Sequence, residues 1–169
     1  MSRWLRRGSN GVASRAMSGS WPPGGFPGLD QASYLITSPV TRRYNCLAWG
    51  AGESERRWEP DALGQYYWPP GIPRELTLNA FSQAYETLGY RLCYGSALEE
   101  GRQKIAIFAI EMNGIERPTH VALQLESGSW TSKLGDCEDI EHFALESLNG
   151  PLYGRPVIFM HRARPKQVA

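Results

Sequence analysis

The sequence predicts an α+β fold in which N-terminal helices pack on a small antiparallel sheet, and three patterns carry that expectation. Leu78, Phe81, Tyr85 and Leu88 recur at spacings of three and four and so share one face of a helix. Lys104 to Glu111 reads Lys-Ile-Ala-Ile-Phe-Ala-Ile-Glu, an apolar run that suits a central strand buried on both sides. His120 to Leu125 and Trp130 to Leu134 flank Glu126-Ser127-Gly128-Ser129, which reads as a hairpin. Helical signals come first and strand signals follow, the segregation expected of α+β architecture.

The elements follow in order. Tyr34 to Thr37 is a short strand ended by Ser38-Pro39. Asn45 is a good N-cap, which places Cys46 at the first position of a helix kept short by Gly50 and Gly52. Glu53 to Pro73 is polar, aromatic and proline-rich, so an ordered loop is expected. The main helix runs from Pro73 to Leu88, with Pro73 suited to its entry and Gly89 to its stop. Tyr90 to Tyr94 is a strand, and Asn113-Gly114 supplies turn chemistry after the apolar run. Ile140 to Leu148 reads as a helix capped by Asp139, and Pro156 to His161 as the last strand.

A chain of 169 residues suits one domain, placed at 26–163. Residues 1–25 read as a disordered or loosely ordered basic leader, with Arg3, Arg6, Arg7 and Arg15 and no acid; 164–169 is a tail. The net charge of +1, from 18 basic and 17 acidic side chains, does not point to nucleic-acid or membrane-surface partners. No stretch approaches the roughly 20 apolar residues of a membrane span. Three cysteines, Cys46, Cys93 and Cys137, are too few for a disulfide framework and fit a reducing, cytoplasmic setting. Export as an effector, or organelle targeting through an arginine- and serine-rich leader, are the alternatives. No cofactor or metal is expected. The mixed set Cys46, His120, Cys137 and His142 offers ligand types but matches no zinc spacing.

Two residues suggest chemistry. A thiol at a helix start faces unpaired N–H groups that favour the thiolate, so Cys46 is read as a nucleophile. His120 opens a run in which Val121, Leu123 and Leu125 alternate with His120, Ala122 and Gln124, so His120 lies on the less apolar face and is read as its base. The residue that orients the ring depends on the hairpin register. A two-residue turn puts Lys133 opposite Ala122, on the His120 face. A three-residue loop puts Ser132 and Asp136 there, with Asp136 opposite His120. Asp139 is a further alternative. Asn45, Trp49, Thr119, Gln124 and Lys133 are read as cleft residues, His142 as a helix-face residue and His161 as structural.

Tyr44-Asn45-Cys46, His120-Val121-Ala122-Leu123 and a polar residue a dozen positions on resemble, in order and spacing, the papain-like NlpC/P60 and CHAP cysteine peptidases and amidases. Asn45 stands where those families have Asp, and Ser132 where they have His, Asn or an acid. That resemblance implies a papain-like fold and a catalytic set Cys46, His120 and Ser132, acting by thiol-mediated acyl transfer or amide hydrolysis on a peptide or amide substrate, including a protein. A closer resemblance spans Phe26 to Arg162. Thr37-Ser38-Pro39, Tyr44-Asn45-Cys46-Leu47-Ala48-Trp49, Tyr67-Trp68-Pro69-Pro70-Gly71, Thr119-His120-Val121-Ala122, Trp130-Thr131-Ser132-Lys133-Leu134-Gly135, Glu138-Asp139-Ile140-Glu141-His142 and Tyr153-Gly154 resemble the uncharacterised, mainly bacterial DUF7689 family. A non-catalytic binding module with a cleft lined by Trp49, Trp58 and Trp68 is the reading from another class.

Overall fold

A computed structural model describes residues 19–166, and it is built around one sheet. Seven strands run in chain order as β1 (Tyr34–Ile36), β2 (Arg91–Cys93), β3 (Arg102–Met112), β4 (Ile115–Gln124), β5 (Trp130–Lys133), β6 (Asp139–His142) and β7 (Arg155–Ala163). They form a single sheet in the order β1-β6-β5-β4-β3-β7-β2, with every neighbouring pair antiparallel. Two helices, α1 (Cys46–Gly50) and α2 (Leu78–Glu86), lie on one face.

This corrects the expected fold. Among the described residues the fold is β-rich, and two short helices accompany a broad sheet; helices packed on a small sheet, the papain-like arrangement, are not what these residues form. Part of the reason lies in 139–148, expected to be helical. Asp139, Ile140 and His142 are buried in strand β6, and a 3-10 turn follows at Leu145–Leu148. Asp139 caps no helix; it opens a strand paired to Lys133. The second reason lies at α2, which begins at Leu78 and not at Pro73. Thr77 is its N-cap and accepts from the Ala80 N–H. The residues before it are used otherwise: Pro73 accepts the Trp68 indole N–H, and Arg74 donates to Asp61 and to the Tyr66 carbonyl.

The strand readings hold elsewhere, because period-two burial is a direct consequence of the pleat. Alternation gives the sheet two buried faces. Ile105, Ile107, Val121, Leu123 and Met160 meet α1, α2, Tyr85 and Tyr90 on the first face. Ala106, Phe108, Ala122, Trp130 and Ile140 meet Phe26, Tyr34, Leu145 and Leu148 on the second. Asn113, with φ of 54°, and Gly114, with φ of 76°, make the left-handed turn between β3 and β4. α1 lies close on the first face because Gly50 has no side chain; a Cβ there would stand 2.7 Å from Val121 Cγ1.

Of the leader read at 1–25, residues 1–18 lie outside the described residues, as do 167–169 of the tail. Residues 20 and 21 are docked: the Ser20 hydroxyl donates to Glu138, and the Trp21 ring packs edge-on against Tyr34 at 5.3 Å. Among the described residues, no helix is long and apolar enough to cross a membrane, and the three cysteines are free thiols.

Candidate functional site

The site is organised by a split between β4 and β5. These strands hold the register pairs Leu123–Thr131 and Gln124–Trp130, and the pairing stops there. The 126–128 loop is of three residues, closed by the Leu125 N–H on the Ser129 carbonyl. That register sets Ser132 on the His120 face. Trp130, Ser132, Ile140 and His142 share the second face with His120 and Ala122, while Thr131, Lys133 and Asp139 share the first with Val121 and Leu123.

On the second face three buried polar side chains form a chain. His120 Nε2 lies 3.0 Å from Ser132 Oγ, and Ser132 Oγ lies 2.8 Å from His142 Nε2. His142 Nδ1 lies 2.9 Å from the Ala144 carbonyl. The carbonyl can only accept, so His142 carries its proton on Nδ1. Burial pushes His142 down to about 4, so it is neutral near pH 7 and its Nε2 is a lone pair. Ser132 therefore donates to His142 and accepts from His120 Nε2–H. Hence His120, also held far below its ordinary value by burial and by the neighbouring His142, is neutral, with its lone pair on Nδ1. That nitrogen is buried and has no hydrogen-bond partner. The ring is fixed by Tyr153, stacked at 4.2 Å and 6° between planes, and by the edge of Phe108.

Cys46 approaches the same split from the first face. Asn45 caps α1 as expected: its Oδ1 accepts from the N–H of Ala48 and Trp58, and its Nδ2 donates to the Trp58 carbonyl. The Cys46 thiol lies by the backbone N–H of Val121, the residue after His120, which favours its thiolate. Burial pushes the thiol up, against the smaller pull of that N–H and of the Arg57 charge. The expected thiolate stabilisation at a helix start is thus outweighed, since α1 is only five residues long and the sulfur is desolvated. The structure brings Cys46 to the peptide beside His120, and no hydrogen bond joins thiol to ring. It brings Ser132 directly to His120.

The other expected residues are placed as follows. Asp136 is in the turn after β5, where it pairs with Arg57 at 3.0 Å and Arg42 at 3.5 Å, away from His120. Asp139 lies on the first face and accepts from the Tyr44 hydroxyl. Lys133 is buried on that face, its ammonium donating to the carbonyls of Gly135 and Cys137. Thr119 Oγ1 donates to the Tyr153 carbonyl, and Gln124 Nε2 to the Ser96 carbonyl. Trp49 stacks on Tyr44 at 5.6 Å and donates to Thr131 Oγ1; together they wall a cavity of about 550 Å³ with Thr37, Ser38, Arg43 and Glu55. Trp58 and Trp68 are 3% and 4% exposed, so they belong to the core and line no cleft. His142 and Tyr153 are the site residues that sequence reasoning missed. The available signal for His142 was its even spacing from Ile140, which in a strand puts both on one face with Ser132.

Residues 35–161 match the family model described as Domain of unknown function (DUF7689). No curated protein and no solved structure matches the chain.

Proposed function

The chain belongs to the DUF7689 family, a description that assigns no chemistry, and we propose that it is a cysteine hydrolase of acyl or amide bonds, with Cys46 as nucleophile and His120 as general base. The observation that supports this reading is the Ala144–His142–Ser132–His120 chain, which leaves His120 neutral with an unpartnered Nδ1 lone pair beside the peptide that contacts the thiol. A base needs a free lone pair on a fixed ring, and His120 has both; burial holds it far below its ordinary value, so in this reading substrate binding has to raise its proton affinity.

In this reading the thiol stays protonated at rest. The sulfur leaves the Val121 N–H and gives its proton to His120 Nδ1 as it attacks the acyl carbon. His120 returns that proton to the leaving amine or alcohol, and a thioester forms on Cys46. Water, deprotonated by His120, then cleaves the thioester and restores the thiol. Ser132 acts as the orienting residue by accepting from Nε2–H, and His142 orients Ser132 in turn. Asn45 fixes the start of α1. The substrate class is a peptide or another amide.

Acylation by p-nitrophenyl acetate at pH 7, quenched rapidly and mapped by mass spectrometry, tests the pair, because an acyl donor calls on the base during attack and not on a resting thiolate. Cys46 is expected to be acylated faster than Cys93 and Cys137, and His120→Ala is expected to slow Cys46 alone by at least tenfold. Equal rates for the three thiols, or a Cys46 rate indifferent to His120→Ala, would sink the proposal.

A further inference from the structure

A second cluster lies at the far corner of the sheet, about the edge strand β2. Cys93 ends β2, His161 sits on β7, and Glu99 comes from the loop between β2 and β3. Register pairs Arg91 with His161 and Cys93 with Phe159, so Cys93 and His161 share a face. The Cys93 sulfur, a Glu99 carboxylate oxygen and His161 Nδ1 all lie within 4.8 Å of one another.

We propose that Cys93, Glu99 and His161 form a zinc(II)-type metal site with three protein ligands and one open position. A thiolate, an imidazole and a carboxylate are the donor set that zinc takes, whereas magnesium and calcium select oxygen alone. The side chains are also supported from behind. Lys104, buried in β3, donates to Glu99 Oε1 at 2.8 Å and to the carbonyls of Gly95 and Ala97. It holds the loop and one carboxylate oxygen, and leaves Oε2 facing His161 Nδ1 at 2.7 Å. An ion between them needs these two atoms to part to about 3.3 Å, the ligand separation of a tetrahedral zinc centre. All three side chains are partly exposed, so an ion can enter and a water can fill the fourth position. On binding, the Cys93 thiol releases one proton to solvent and bonds as thiolate. The two anionic ligands balance the ion's charge, which leaves Lys104 paired to the outer oxygen of Glu99.

The bound ion would clamp the edge strand and the 94–101 loop onto β7. The test uses the full chain, freed of metal by chelation and dialysis, titrated with Zn²⁺ against a chromophoric chelator of micromolar affinity. One equivalent is expected. Cys93→Ser and His161→Ala are each expected to weaken binding at least tenfold, while Cys46→Ser and Cys137→Ser leave it unchanged. Co²⁺ should give a thiolate charge-transfer absorption that Cys93→Ser abolishes. Cys93→Ser decides the matter, because it keeps the side chain's size on a three-residue edge strand. Less than one equivalent bound in that competition, or binding that Cys93→Ser weakens less than tenfold, overturns the site.

Discussion

Ser132→Ala removes one oxygen that two imidazoles share. In the native chain His120 Nε2–H donates to it and it donates to His142 Nε2, and all three residues are fully buried. The alanine leaves a buried N–H and a buried lone pair without partners. Each such group costs about 1–3 kcal/mol, so the expected loss of stability is about 2–6 kcal/mol. That is a large part of the roughly 5–15 kcal/mol that holds a domain folded. Thr131→Ala, one residue away, breaks only the part-buried bond from Trp49 and should cost about 1 kcal/mol. Urea denaturation at pH 7.5 followed by tryptophan fluorescence measures both, with an unchanged m-value showing that the same surface is exposed. Nitrogen NMR of the imidazoles supplies a second readout: native His120 should carry its proton on Nε2, a preference the variant loses. The reasoning is refuted if Ser132→Ala costs no more than Thr131→Ala, or if native His120 is protonated on Nδ1.

Acid should destabilise the fold well before most carboxylates titrate. His142 is held at about 4 when folded, against 6.5 when exposed, so the unfolded chain takes up the proton first as pH falls. The stability it contributes is complete above pH 6.5 and is lost on the way down to pH 4, by roughly 3 kcal/mol, with His120 deepening the loss in the same direction. Melting temperatures across that range check this; a flat profile from pH 7 to 5 contradicts the buried neutral pair. Gly154→Ala should cost at least about 2 kcal/mol, because the position has φ of 71° and a Cβ would stand 1.9 Å from the Ala109 carbonyl oxygen. A melting temperature within a degree of native would show that the Tyr153–Gly154 turn yields freely.

Sequence pattern found the strands whose two faces differ or whose whole run is apolar. β3, β4, β5 and β7 were legible because burial imposes their alternation on the residues themselves. The α1 cap was legible because Asn45 must stand just outside the helix. What failed was four-residue β6, too short to show a period and opened by an aspartate that also suits a helix start. That error reduced the sheet and made the helices seem dominant. It also hid His142, whose partner Ser132 was already in view. The contact between His120 and Ser132 hung on loop length, since one residue more or less would have turned Lys133 to the ring instead. The protonation state of Cys46 was not legible, because it depends on how deeply α1 sinks onto Val121.

The interrupted pairing of β4 and β5 also has a mechanical meaning. From Leu123 and Thr131 toward the Cys46 end, these two strands are no longer tied by register, while β3 and β4 pair along eight positions. The sheet therefore contains a seam, with β1, β6 and β5 on one side and β4, β3, β7 and β2 on the other. Along the open part of that seam, continuity is carried by side chains: the His120–Ser132 bond below, and above it helix α1, which packs on β4 and reaches β5 through the Trp49 indole on Thr131 Oγ1. Force or thermal motion that spreads the seam pulls on that bond and on α1, so the stiffness of the sheet and the geometry at Cys46, the first residue of α1, are one property.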